Sequence, residues 1–153
     1  LKIIGLGNPI MGDDGLGIYV IKELKKHTIA GVELVEGGTS GIGLLRHLKG
    51  EKEVIIVDAI KSGSPPGTIH QLNESDFTNP EFEFISLHEI SLSHVLALGK
   101  ELFPDVFPEN IVIYGVEVKD IQMGMELSEP VKKALPRLVE LLRSRMEQNA
   151  GTV

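Results

Sequence analysis

The sequence contains no cysteine and no tryptophan, and aromatic residues make up only 5% of its 153 positions. Without cysteine there is no disulfide framework, no thiolate metal site and no cysteine nucleophile. A metal centre would have to be built from histidine, aspartate, glutamate or backbone oxygen. So few aromatics leave little material for a large aromatic interface, and a monomer is expected. Positive charge is also in short supply. The 15 Lys and Arg face 22 Asp and Glu, a formal net charge of -7. That balance disfavours a nucleic-acid partner, which rewards a basic face. Long apolar runs are missing too. No stretch approaches the ~20 residues that a bilayer span needs, and the sequence as given does not open on a basic-then-apolar leader. A cytoplasmic protein with no membrane partner is the expectation.

What is present is a chain that is 42% hydrophobic, enough for one sizeable core, so residues 1–153 are expected to form a single domain. Apolar runs and amphipathic segments alternate along it. A buried strand is expected at about 2–6, then a helix starting at Asp13 or Asp14 with Ile18, Ile21 and Leu24 on its apolar stripe. A second strand at 32–35 is broken by Gly37-Gly38-Thr39-Ser40, and a helix through Leu44 and Leu48 follows, closed by Gly50. Val54-Ile55-Ile56-Val57, four β-formers ending at Asp58, is the clearest strand. A short strand at 68–72 and an irregular connection over 73–83 precede a helix running from His88 to about Leu102. A last strand spans 111–116. The terminal helix runs from Pro130 to Met146, with Pro136 predicting a kink or a late start, and residues 147–153 are expected to fray. This alternation predicts an α/β fold, a three-layer sandwich with a mostly parallel sheet flanked by helices on both faces.

In such a sheet the carboxyl ends of parallel strands share one edge, where ligands bind. Asp13 and Asp14 follow the first strand, Glu36 the second, Asp58 the third and Glu117 the last, while His88 lies in the loop before a helix. Several ionisable groups therefore crowd one rim. By location alone, Asp13 and Glu36 are candidates for general base. The Gly37-Gly38 turn, with Thr39, is a candidate substrate-binding segment, because glycine lets a peptide backbone approach closely. Each residue also has a plainer role: Asp14 as a helix cap, Asp58 as an acceptor for loop amides, His88 as a satisfied loop histidine.

Two glycine-rich segments admit other readings. Gly5-Leu6-Gly7-Asn8-Pro9-Ile10 fails as a dinucleotide fingerprint because Ile10 stands at the third glycine position, and no Gly-Lys-Ser/Thr makes a phosphate loop. The same opening resembles that of peptidyl-tRNA hydrolases, but the downstream stretch with their histidine is missing. Gly37 to Gly43 resembles the cofactor loop of short-chain dehydrogenases, yet neither Tyr19 nor Tyr114 has lysine four residues on. A nucleotide-binding, dehydrogenase-like domain and a non-enzymatic metal-binding domain are the alternatives.

The run from Gly5 to Gly17, with Gly-Leu-Gly-Asn followed by Asp13-Asp14-Gly15, resembles the signature of the hydrogenase maturation endopeptidases. The likeness continues in order through Glu36-Gly37-Gly38-Thr39, Val57-Asp58-Ala59, Pro66-Gly67-Thr68, Leu87-His88-Glu89 and Tyr114-Gly115-Val116-Glu117. Glu36 is a departure, since the family usually carries Asp there. The resemblance implies that Asp14, Asp58 and His88 are metal-binding. It implies an endopeptidase that removes the C-terminal extension of a nickel-iron hydrogenase large-subunit precursor after nickel insertion. The nickel would be carried by the substrate, and zinc or another divalent ion would be able to substitute, since oxygen and imidazole donors suit both.

Overall fold

The computed structural model describes residues 1–27, 29–86, 91–124 and 126–151. Its centre is a six-stranded sheet of β1 (Lys2–Leu6), β2 (Glu33–Gly38), β3 (Glu53–Lys61), β4 (Ile69–Leu72), β5 (Glu83–Phe84) and β6 (Asn110–Glu117). The strands are ordered β2-β1-β3-β6-β4, and β5 pairs with the end of β3. The pairs among β2, β1, β3 and β6 are parallel; β4 on β6 and β5 on β3 are antiparallel. Helices α1 (Leu16–Leu24), α2 (Gly41–Leu48), α3 (Leu92–Leu102) and α4 (Glu129–Gly151) cover the two faces, as the alternating pattern predicts.

The period-two geometry of strands decides which residues meet which helix. Ile3, Ile55, Val57 and Tyr114 point to one side and pack with Leu16, Val20 and Ile21 of α1 and Val131, Ala134, Leu138 and Leu142 of α4. Ile4, Leu6, Ile56 and Ile113 point to the other and pack with Leu44 and Leu48 of α2 and Leu92, Val95 and Leu96 of α3. The central strand β3 is buried from Val54 through Ile60, which explains its unbroken apolar run.

Several boundaries differ from the sequence expectation. Strand β2 is not broken at Gly37; it runs on to Gly38, because Gly37 lies so close to β1 that a Cβ there would come within 2.7 Å of Ile4 Cγ2. Strand β3 does not end at Asp58 but continues to Lys61, paired with β6 on one side and β5 on the other. Helix α3 begins at Leu92, where Ser91 accepts from the His94 amide as an N-cap; His88 and the rest of 87–90 lie outside the described residues. The 73–83 connection holds a 3-10 turn, Glu74–Asp76, with an Asn73–Asp76 capping box. Helix α4 starts at Glu129, contains Pro136 and reaches Gly151, so it neither starts late nor frays from residue 147. Its buried stripe of Val131, Ala134, Leu138, Leu142 and Met146 supports it across the proline's missing amide bond.

At the amino ends of the strands, Lys2 is only 6% exposed. Its Nζ donates to the His47 carbonyl at 3.0 Å and lies 3.5 Å from Glu33 and 3.3 Å from Glu51 carboxylate oxygens. Among the described residues, no helix is long and apolar enough to cross a membrane.

Candidate functional site

The carboxyl edge of the sheet holds two fully buried acids, Asp14 and Asp58. Each is delivered by a different local device. Residue pairing between β1 and β3 ends at Gly5 and Val57, so Asp58 lies on the part of β3 that extends beyond β1. There β5 turns back along β3, with Ile60 opposite Phe84 and the Ile85 amide donating to the Ala59 carbonyl at 3.0 Å. That register returns the chain to Asp58 at Ser86. Asp14 arrives from the other side, on a 3-10 turn, Gly12–Gly15, that leads into α1.

The glycines of the first loop make this approach possible. Gly7 has φ +138, and a Cβ on it would fall 1.9 Å from the Asp14 carbonyl oxygen. Gly17 at the start of α1 sits so close to the sheet that a Cβ would come within 2.2 Å of the Leu6 carbonyl and 2.7 Å of the Val57 carbonyl. The glycine pattern is therefore a packing seam that seats α1, and with it Asp14, against β1 and β3. It cradles no phosphate.

Ser86, also fully buried, joins the two acids. Its Oγ lies 2.7 Å from Asp14 Oδ1 and is in hydrogen-bond contact with Asp58 Oδ1. A hydroxyl has one proton to give, so both contacts are hydrogen bonds only if one carboxyl is protonated. Burial, and then the nearby charge of Asp14, push the Asp58 carboxyl up to about 7, against the pull of its bonds with Ser86 and the Ala59 amide. Asp58 is thus the group suited to hold that proton. Its Oδ1 also accepts from the Ala59 amide at 2.7 Å, while its buried Oδ2 has no hydrogen-bond partner among the described residues. Two buried carboxyls sharing one proton, with one inward oxygen orphaned, are costly for a folded chain, and two such oxygen donors are of the kind a divalent cation can take up. Among the described residues no three His, Asp or Glu side chains converge as a metal-binding group. The third expected ligand, His88, lies outside them.

The structure does not bring Asp13 or Glu36 to this pair. Asp13 is fully buried, and its carboxylate accepts from the amides of Lys119 (2.7 Å), Asp120 (2.9 Å) and Ser128 (2.7 Å) and from the Ser128 hydroxyl (2.8 Å). Those four bonds clasp the 119–128 loop to the 8–14 loop, helped by the Asp13 amide donating to the Asp120 carbonyl at 2.8 Å. Glu36 is exposed and pairs with Lys25 of α1 at 3.1 Å. It shares the register of Gly5 and Val57, so alternation sends it to the opposite face from Asp58. Gly37 is explained by its contact with β1. Gly38 (φ +66) faces open space and Thr39 is exposed, which leaves that end of β2 free for a ligand.

Sequence reasoning missed Ser86 and the contact between His70 and Glu117. A serine ahead of a histidine carries no signal of its own; only the β5–β3 pairing makes it a bridge. His70 faces the buried Glu117 at 3.7 Å, with its Nε2 buried and lacking a hydrogen-bond partner among the described residues. Glu117 itself accepts from the Ser62 amide at 2.8 Å and the Ser62 hydroxyl at 2.5 Å. His94 is exposed and its Nδ1 lies 2.8 Å from Ser91 Oγ.

A family model described as HycI, hydrogenase maturation protease, matches residues 18–145 of this chain. The protein FrxA of Pyrococcus furiosus is 37% identical over 134 residues, covering 88% of this chain and 96% of FrxA. Two solved structures share the fold along nearly the whole length. The hydrogenase maturating endopeptidase HybD of Escherichia coli has a TM-score of 0.81 at 27% identity, covering 97% of this chain and 92% of that one. The [NiFe] hydrogenase maturation protease HybD of Thermococcus kodakarensis has a TM-score of 0.79 at 28% identity, covering 95% and 97%.

Proposed function

The chain belongs to the hydrogenase maturation protease family and is a hydrolase, an endopeptidase; from that premise we propose that it removes the C-terminal extension of a nickel-iron hydrogenase large-subunit precursor once nickel is in place. The observation that carries this reading is the buried Asp14–Asp58 pair, bridged by Ser86, with one oxygen of Asp58 unclaimed among the described residues. On this reading the nickel is part of the substrate. Asp14 and Asp58, with His88 as the third group, recognise it at the carboxyl edge of the sheet. Oxygen and imidazole donors suit nickel, and zinc or another divalent ion would occupy the same set.

The chain's own residues do three things here. Gly7 and Gly17 seat the turn that carries Asp14. Ser86 holds the two carboxyls at fixed spacing. Asp58 releases its proton as a cation arrives, since a positive charge favours the ionised carboxylate. A substrate lacking nickel meets instead a pair that shares one proton and is already hydrogen-bonded through Ser86. That difference makes the site a check on the precursor's loading. Asp13 serves by position: it holds the 119–128 loop against the turn bearing Asp14, and the exposed Ile10 and Met123 flank that junction. The open end of β2 at Gly38 and Thr39 is where the precursor's chain approaches.

The test is incubation with purified large-subunit precursor, with and without nickel, read by mass spectrometry. Loss of a C-terminal peptide only from the nickel-loaded form is expected, and loss of that activity in His88→Ala with an unchanged circular dichroism spectrum. Equal cleavage of both forms would remove nickel recognition from the reading; full activity of His88→Ala would remove His88.

A further inference from the structure

A second surface lies away from the acid pair, on the other face of the sheet. Strand β4 ends the sheet order, hydrogen-bonded to β6 on one side only among the described strands. Between its open edge and helix α4 runs a groove of about 1020 Å³. The floor is formed by Ile69 and Tyr114, and Leu141, which is 49% exposed, stands in the helical wall. Pro130, Lys133, Arg137, Leu141 and Ser144 line the groove at helical spacing along one side of α4. At 1.5 Å per residue they span roughly 21 Å, the length of about six residues of extended chain.

The charge of the groove runs against that of the molecule. The chain carries a net -7, yet the groove presents Lys133 and Arg137, one helical turn apart, with Glu140 as the acid beside them. Neither cation pairs with a carboxylate among the described residues; Arg137 Nη2 donates only to the Gly67 carbonyl, at 3.4 Å. Two unpaired cations above an apolar floor are built for a carboxylate on an otherwise apolar strand.

The groove is also tied to the catalytic rim. Its mouth is the Pro66–Thr68 turn. The Gly67 amide donates to the Glu117 carbonyl at 2.8 Å, and the Thr68 carbonyl accepts from the Glu117 amide at 2.9 Å. Glu117 stands opposite Ile60, two residues past Asp58 on β3. A chain leaving the groove at this mouth therefore emerges at the same edge of the sheet as the acid pair.

We infer that this groove docks an extended, apolar segment of the precursor bearing a carboxylate, added as a strand along β4 with that carboxylate between Lys133 and Arg137. The segment is distinct from the one that is cut. The inference rests on the protease reading above and supplies what two buried acids cannot, a means of choosing among nickel-bearing proteins. Strand addition gives affinity through main-chain bonds and leaves specificity to alternate side chains.

The experiment compares wild type with Lys133→Glu, Leu141→Asp and the double variant Lys133→Glu/Arg137→Glu, using nickel-loaded precursor. All three sites lie on the exposed side of α4, and melting temperatures check the fold. Each variant is expected to raise KM, the double one by about tenfold, while kcat stays within about twofold. Raised salt is expected to narrow the gap for the charge variants and not for Leu141→Asp. A photo-crosslinking residue replacing Ser144 is expected to capture a precursor segment that contains Asp or Glu among apolar residues. Unchanged KM in all variants, or capture of a basic segment, would overturn the groove assignment with the protease reading intact. A wild type that processes nothing would overturn the protease reading, and capture at position 144 would still decide the groove.

Discussion

The two ends of the same sheet carry buried charge in opposite ways. At the amino ends, the Lys2 ammonium meets the His47 carbonyl and the carboxylates of Glu33 and Glu51. Its donors face oxygens of the opposite sign, and the site is complete as it stands. At the carboxyl ends, Asp14 and Asp58 are both acids, share one hydroxyl, and leave Asp58 Oδ2 without a partner among the described residues. The first site ties the start of β1 to the start of β2, to α2 and to the segment that leads into β3. The second keeps one buried acceptor open among the described residues. Burial alone therefore does not mark function; what marks it is burial with the hydrogen-bond set left open.

The largest effect that sharpens this contrast is Asp58→Asn. Processing of nickel-loaded precursor is expected to fall by about a thousandfold or more, since the oxygen proposed to bind the metal is lost, with the fold retained. Lys2→Met is expected to leave processing unchanged. If Lys2→Met removed activity in a folded protein, the division between a structural and a functional edge would break.

The next effect is on stability and pH. Asp58 has its folded-state carboxyl raised from 3.8 to about 7. The folded chain therefore keeps a proton that the unfolded chain gives up. Its stabilising contribution is full below 3.8, declines as pH rises through the window up to about 7, and is absent above it. The wild type is expected to lose up to about 4 kcal/mol across that window relative to Asp58→Asn. Urea melts of the two proteins at pH 4.5 and pH 8 measure the difference. A constant gap between them would mean that Asp58 titrates like an ordinary surface carboxylate.

Asp13→Ala follows, with about 3 kcal/mol of lost stability, because three amides and a hydroxyl lose a charged acceptor. Hydrogen exchange is expected to rise at the amides of Lys119, Asp120 and Ser128. Protection that stays unchanged there would show that the loop holds without the clasp. Lys2→Met is expected to cost least, about 1 kcal/mol, since Glu33 and Glu51 are both partly exposed and regain water.

The fold was legible because its signals are local. Four β-formers in a row, helical stripes of Leu and Ile, and glycine punctuation predict the strands and helices within a few residues. Asp14 and Asp58 were legible as a pair because topology brings strand ends to one edge. The remainder depends on contacts far apart in sequence. Three of the four donors that occupy Asp13 are backbone amides 106 to 115 residues away, and amides carry no residue code. Ser86 acts only through the β5 register, and β5 is a two-residue strand, too short for any periodicity. The partners of Lys2 were equally hidden, because its carboxylates belong to two other segments.

The length of β3 has one more consequence. Because Asp58 lies inside a strand that runs on to Lys61, flanked by β6 and β5, its position is set by the sheet and owes nothing to the turns that follow. The exposed positions of the 73–81 connection, beyond β4, are then free to change composition without moving the acid. Such a layout separates what must be held constant from what is free to diverge. Relatives built on this plan can adapt their outer surface to different client proteins while the acid keeps its place.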